Sequence, residues 1–368
     1  MEKDQLTPRQ FMTLVTLFSV GTGLLVVPAI VASEAKQDAW ISGVLNIVMG
    51  FLLVWLYKQI AKQHPGCSLF QINERVFGTW IGKVVTLLIV FSVLLFCSQV
   101  LYYFGSFIIT QMMPTTPIEA IHILLIIYIM MGAKLGIVVL ARTSEIFFPW
   151  VVLLFLVFMV LIIPQMQLNK ILPIGEATFL PLFRSGFNIC TYSALQTFTV
   201  FSMLVHKVSP IQKAYKAYYI GTTIAGVMLL LLIVTSILVL GPDNTAKQIF
   251  PSYELAQRIE IGKFLQRIEV IIAFLWLISI FFKMSMFFYV TIQGISFIFK
   301  MPNYKILIFP VGIIITVLSF IVYPNMNYQQ QWDEHTWPPY AILIGLVYPL
   351  LILLLGFLHK ARMNYNAK

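Results

Sequence analysis

The chain alternates long apolar segments with short polar joints. Ten segments are long enough to cross a bilayer, which takes roughly 20 apolar residues per helix. They fall near Phe11 to Ala32, Trp40 to Tyr57, Val84 to Met112, Pro117 to Met131, Ile146 to Ile163, Ser185 to Val205, Tyr218 to Leu240, Val270 to Phe299, Ile306 to Tyr323 and Pro338 to Leu358. No stretch between them is large enough for a separate water-soluble domain, so residues 1–368 read as one transmembrane domain. Two connections carry a pattern of their own. Cys67 to Gly78, with apolar Leu69, Ile72, Val76 and Phe77, predicts a short helix lying on one membrane face. Gly241 to Arg267 predicts a turn followed by an amphipathic helix through Tyr253, Leu255, Ile259, Ile261 and Leu265, fit for a lid or a protein contact.

The first apolar segment contains Ser19-Val20-Gly21-Thr22-Gly23-Leu24-Leu25-Val26-Val27-Pro28. Two glycines weaken the helix interior, and Pro28 removes an amide donor one turn later. In lipid the freed backbone groups must face protein, water or a ligand. The stretch therefore predicts a broken helix at a binding cavity, with a half-helix near Leu24 whose amides suit a carboxylate. A closely packed, mildly kinked surface is the competing reading. The sixth segment is the other polar one, with Asn188, Cys190, Thr191, Tyr192, Ser193, Gln196 and Thr197. Its break signal is weaker, because no glycine or proline interrupts the middle. Ten spans divide into two fives, and the sixth then becomes the inverted counterpart of the first. The expected repeats run over about 8–166 and 167–360.

Composition agrees with an all-α integral membrane protein: 60% hydrophobic residues, 10% charged and a mean hydropathy of +0.90. The net charge of +10 does not point to nucleic acid, because the basic residues sit in short joints. Of 24 Lys and Arg, 16 fall on the side of the N-terminus, 7 on the other and Lys283 inside a span. By the positive-inside rule both termini are cytoplasmic. The opposite side collects ten of fourteen acids, among them Glu34, Asp38, Glu254, Glu260, Asp333 and Glu334. Trp40, Trp80, Trp150 and Trp337 lie near segment ends, as interfacial anchors do. The first segment exceeds a signal-peptide core and reads as a retained span. Cys67, Cys97 and Cys190 are far apart and support neither a disulfide framework nor a metal site.

Lys283 is the most costly residue in the sequence. It lies 14 residues past Glu269 and 17 before Lys300, roughly 20 to 25 Å from either end of its helix. An ammonium at the bilayer centre costs on the order of 3 kcal/mol on insertion scales, so it must face an interior with partners. No acid lies within the hydrocarbon depth of any predicted span, which leaves carbonyls of an unwound helix, Tyr hydroxyls or a bound carboxylate, and counts against a carboxylate proton relay. Ser98, Gln99, Tyr102 and Tyr103 of the third span and Ser279 of the eighth are polar groups fit for interhelical or ligand contacts. His122 is expected at the membrane interface, and His64, His206, His335 and His359 in loops or ends. Neither metal-ligand spacing nor a nucleophile with its base is present, so no enzyme active site and no cofactor are expected.

Leu6-Thr7-Pro8-Arg9-Gln10 leading into Gly21 to Leu25 and Pro28 resembles the opening of the B subunits of bacterial spore nutrient-germinant receptors. So does Phe250-Pro251-Ser252, followed by Gly262-Lys263-Phe264-Leu265, Arg267-Ile268-Glu269 and Trp276, running into Phe282-Lys283. The resemblance covers essentially the whole chain. It implies the fold of the amino acid/polyamine/organocation transporters, a five-plus-five inverted repeat with helices 1 and 6 unwound. It implies a multi-pass protein of the spore inner membrane that works with an A subunit and a lipoprotein C subunit and binds a small nutrient such as an amino acid. Carried onto this chain, the pocket takes Gly21, Thr22 and Gly23 from the first helix, Thr191, Tyr192 and Ser193 from the sixth, Phe96 and Gln99 from the third, and Lys283 from the eighth. In sodium-coupled members of the fold a cation sits between helices 1 and 8, where Lys283 is expected to stand permanently. A secondary amino acid transporter and a channel subunit are the other readings.

Overall fold

The computed structural model describes residues 5–259 and 267–366, and all of its regular structure there is helical. Glu260 and the Gly262 to Leu265 stretch lie outside the described residues, as do Ile261 and Leu265 of the expected amphipathic helix. Chain order runs α1 (Pro8–Val20), α2 (Gly23–Ala35), α3 (Ala39–Gln63), α4 (Leu69–Phe77), α5 (Thr79–Phe107), α6 (Ile118–Leu135), α7 (Ile137–Ile162), α8 (Phe179–Tyr192) and α9 (Thr197–Phe201). It continues with α10 (Ile211–Leu240), α11 (Pro242–Lys247), α12 (Pro251–Gln257), α13 (Glu269–Ile298), α14 (Ile308–Ile321), α15 (Met326–Gln331), α16 (Trp337–Ile342) and α17 (Tyr348–Asn366). Among the described residues, eight helical stretches are long and apolar enough to span a membrane, one of them joining α2 to α3. The two expected spans that do not form one such helix are the interrupted ones, the first split into α1 and α2 and the sixth into α8 and α9.

Local chemistry sets the ends. Pro8 begins α1, and Thr7 and Gln10 close a reciprocal capping box in which each side chain accepts the other's backbone amide at 3.1 Å. Leu6 then pairs with the strand-like turn after the sixth span, its amide donating to the Lys207 carbonyl at 2.9 Å. At the other end of the bundle the buried Asp38 carboxylate accepts the amides of Gly175 and Ala177, each at 2.9 Å. That clasp fixes the long connection between the fifth and sixth spans.

Packing is concentric. α1 lies against α10, α7 and α13, and α13 lies against α5 and α7. Phe18 stands edge-on to both Phe201 and Phe287, so the first, sixth and eighth spans share one aromatic seam. The outer faces of α5, α6, α7 and α14 leave Leu88, Tyr128, Ile146 and Phe309 exposed, an apolar belt that suits acyl chains.

Four expectations change. The helix of the second joint forms as α4, but its polar Asn73 is fully buried, donating to Thr86 at 3.1 Å and accepting from Tyr348 at 2.6 Å, so α4 docks on α5 and α17. His122 packs inside the bundle rather than facing the membrane interface: it is buried, 2.9 Å from Ser319 and stacked on Phe320, because the glycine at Gly105 leaves room for its ring. Trp337 is no membrane anchor either, being buried with its indole donating to Thr191 at 3.0 Å. Finally, the joint before the tenth span is helical from Met326 onward through two π turns, which places Asp333 within a continuous helical stretch rather than in a loop.

Removing the clasp tests its weight. Asp38→Ala strands two amides and should cost about 2 to 3 kcal/mol, read as a lower melting temperature of the purified protein. Asp38→Asn, which keeps one acceptor, should lose less; equal melting of all three proteins would show that the clasp does not hold the connection.

Candidate functional site

The first span stops where its glycines allow. α1 ends at Val20, Gly21 and Thr22 form a turn, and α2 starts at Gly23; Pro28 sits inside α2 without breaking it. Gly21 is required by close approach: a Cβ there would stand 2.5 Å from the Lys283 Cδ and 2.7 Å from the Phe18 carbonyl oxygen.

The sixth span is also broken, at a place with no glycine or proline. α8 ends at Tyr192 and α9 starts at Thr197. Within the turn, the amides of Ala194 and Leu195 both donate to Cys190, which takes the Thr191 and Tyr192 carbonyls out of the helical ladder. Side chains replace the lost donors. Gln196 Nε2 donates to the Thr191 carbonyl at 3.0 Å, and Lys283 Nζ donates to the Tyr192 carbonyl at 2.9 Å. Asn46 of α3 holds the turn from behind, its Oδ1 accepting from Ser193 at 3.1 Å and Cys190 at 3.2 Å. Room comes from Gly345 of the tenth span, where a Cβ would lie 2.5 Å from the Leu195 carbonyl oxygen. The break is thus written in Asn46, Lys283 and Gly345, on three other helices.

Lys283 joins the two breaks. Its buried ammonium also donates to Thr22 Oγ1 at 3.1 Å and stands 5.2 Å above the Phe18 ring. It lies at the C-terminal ends of α1 and α8, where the helix dipoles are negative. Carbonyl, hydroxyl and aromatic face together compensate a charge that forms no ion pair among the described residues.

Beside this bridge is a cavity of about 20 Å³, whose walls include Thr22, Phe96, Gln99, Tyr103, Tyr192 and Trp337. It has room for one water. On the side away from the chain termini, a vestibule of about 510 Å³ reaches down to the same place. Tyr103, Tyr192 and Asp333 line both spaces, and the Tyr103 hydroxyl donates to the Asp333 carboxylate between them.

Of the nine residues picked out in the sequence, Thr22, Phe96, Gln99 and Tyr192 line the small cavity, and Gly21 and Lys283 form its brace. Three point elsewhere. Gly23 faces Leu229 of α10, Thr191 accepts the Trp337 indole N–H, and Ser193, in the turn after Tyr192, bonds Asn46. Val100, Tyr103, Gln196, Phe287, Tyr323, Asp333 and Trp337 complete the walls. Tyr103 and Gln196 carried a signal as polar residues inside spans; Asp333 and Trp337 were hidden by reading their segment as a loop.

Two interrupted helices meeting at mid-bundle around a buried cation define a membrane protein of the transporter fold. The fold is that of the nucleobase-cation-symport-1 transporter Mhp1 solved closed with bromovinylhydantoin bound, with a TM-score of 0.67 at 10% identity over 93% of this chain and 75% of that one. MhsT in complex with L-phenylalanine superposes with a TM-score of 0.65 at 13% identity, over 96% and 99% of the two chains. Within that class, the family model described as spore germination protein matches residues 5–328, and the chain belongs to that family. Spore germination protein KB of Bacillus subtilis (strain 168) is 28% identical over 98% of this chain and 97% of its own. The putative spore germination protein YfkT of the same organism is 27% identical over 96% and 95%.

Gly21→Ala should force Lys283 off its partners and cost about 1 to 3 kcal/mol, measured by thermal unfolding in detergent. Because the clash is partly with the Lys283 stem, Gly21→Ala with Lys283→Ala should cost less than the two singles added together. Strict additivity would mean that Gly21 and Lys283 are not coupled.

Proposed function

We propose that this protein is the nutrient-sensing membrane subunit of a spore germinant receptor. It binds a small nutrient, an amino acid in the first instance, where the two broken helices meet. The observation that carries the reading is the Lys283 bridge beneath a cavity walled by Thr22, Gln99 and Tyr192. Polar groups converging at an interrupted pair of helices are how this architecture holds solutes. Family membership directs the reading to germination, and the MhsT complex shows that the fold accommodates an amino acid in that protein.

At about 20 Å³ the cavity is closed to an amino acid, so binding must accompany its widening. Ligand then shifts the bundle between a closed and an opened state, and partner subunits of the A and C type read the difference. The setting is the spore inner membrane with both termini cytoplasmic, and the moving parts are two inverted repeats of about 8–166 and 167–360. The Lys283 ammonium serves as a built-in cation between helices 1 and 8, bracing both breaks without a coupling ion.

A secondary amino acid transporter is the second reading, favoured by the transporter structures that share the fold. Sealed proteoliposomes separate the two. Saturable retention of labelled amino acid, capped by the number of protein molecules and indifferent to pH or sodium gradients, is the expected result. Gradient-driven accumulation beyond that number would make the protein a transporter.

Lys283→Met keeps the bulk but leaves the Tyr192 carbonyl without its donor, which should cost about 1 to 3 kcal/mol of stability. Retention of the labelled amino acid should fall by about tenfold or more. A variant that binds and melts like the parent would remove Lys283 from the site.

A further inference from the structure

The vestibule is chemically distinct from the cavity beneath it. Its walls include Ser33, Glu34, Arg184, Asn188, Gln329 and Glu334, with Tyr192 and Asp333 toward the cavity below. Glu34 is held by donors on one oxygen only. Asn188 Nδ2 lies 3.2 Å and Arg184 Nε 3.5 Å from Oε1, while the buried Oε2 has no partner. Two further residues lining the same space each carry a buried, unpartnered polar atom, Gln329 its Oε1 and Tyr192 its hydroxyl, and are 6% and 5% exposed. Carboxylate, amide and phenol oxygens can all accept, and the first two can do nothing else. A buried acceptor left without a donor is unfavourable, and such a set in one cavity is satisfied by a single group with several donors. Three carboxylates line the vestibule, from Glu34, Asp333 and Glu334, against Arg184, which is already paired with Glu34, and Lys247.

We infer that the vestibule is a binding site of its own, taking a primary ammonium group on a small organic molecule, with Glu34 as the charge partner and Gln329 and Tyr192 as neutral acceptors. An ammonium supplies three donors, matching the three unpartnered oxygens in number. A carboxylate or a neutral alcohol does not. The site stands apart from the closed cavity and shares only Tyr103, Tyr192 and Asp333 with it. A small amine, or an amino acid held by its ammonium, is therefore recognised in the closed state, before any widening below.

Cysteine protection tests this on the full chain in nanodiscs. Cys67, Cys97 and Cys190 are buried, while Ser33 is exposed within the vestibule, so Ser33→Cys offers a reporter thiol for a charged methanethiosulfonate. Labelling should slow saturably with n-butylammonium and should not respond to n-butanol or butyrate at the same concentrations. In the Ser33→Cys background, Glu34→Gln should raise the half-protecting amine concentration by about tenfold or more, and Gln329→Leu should raise it by a smaller factor. Protection shared equally by amine, alcohol and acid would overturn the assignment, as would amine protection unchanged in both variants. Should either variant fail to fold, the three-probe comparison on the parent decides alone. No probe enters the lower cavity in this assay, so failure here leaves the nutrient-sensing reading intact, and failed amino acid retention leaves this one intact.

Discussion

Everything in the middle of this bundle depends on one ammonium group being acceptable there. A lysine at the centre of a bilayer is costly unless its charge is met from within the protein. Here it is met by the Tyr192 carbonyl, the Thr22 hydroxyl and the Phe18 ring. The carbonyl is available only because the sixth span unwinds after Tyr192. The hydroxyl is in reach only because the first span stops at Gly21. Each break thus supplies what the lysine requires, and the lysine supplies the donor that the breaks require. Neither interruption would be tolerable alone in a region without water. The mutual dependence ties the eighth span to both breaks, so a shift of either is felt at the other.

How much of this could be read in the residues differs from one break to the other. The first was legible because glycine and proline act locally: Gly21, Gly23 and Pro28 weaken a helix whatever surrounds them. The second was not, because Ser193-Ala194-Leu195-Gln196 carries no local breaker and the turn is imposed by Asn46, Lys283 and Gly345. Lys283 stood out by cost alone, and its partners proved to be a carbonyl of the unwound sixth helix and the Thr22 hydroxyl at the break of the first. The same locality explains the errors. Trp337 and Asp333 were assigned to a joint because Trp332 to Pro339 mixes charge with two prolines, yet π turns let the helix run through it. Side-chain direction was beyond reach at the sixth span, where a few residues of unwinding decide that Tyr192 faces the cavity while Thr191 and Ser193 face neighbouring helices.

The two spaces on either side of Tyr103 and Asp333 have different physical characters. The lower one is small, largely aromatic and braced by a fixed positive charge. The upper one is wide, wet at its rim and rich in acceptors. A molecule carrying both an ammonium and a carboxylate meets the signs in a useful order, first acceptors and then, below, donors. The Tyr103 to Asp333 hydrogen bond separates them. It closes the floor without a hydrophobic plug, and on the proposed reading a polar solute replaces each partner's bond on its way down.

In the receptor proposed above, that replacement sets the energetic scale of signalling. A ligand moves the bundle only by the difference between its affinities for the opened and closed forms. Opening must widen a space of about 20 Å³, which separates packed aromatic walls such as Phe96 against Trp337, with ring centroids 5.1 Å apart. Contacts to those walls in the opened form must recover that loss before any surplus is left to reach the proposed partner subunits. A ligand with polar ends and no bulk recovers little, since its hydrogen bonds largely exchange for bonds to water. Side-chain bulk that fills the widened space recovers much more. Discrimination in the lower cavity is therefore expected to follow the apolar part of the solute, while the charged groups decide whether it is admitted at all.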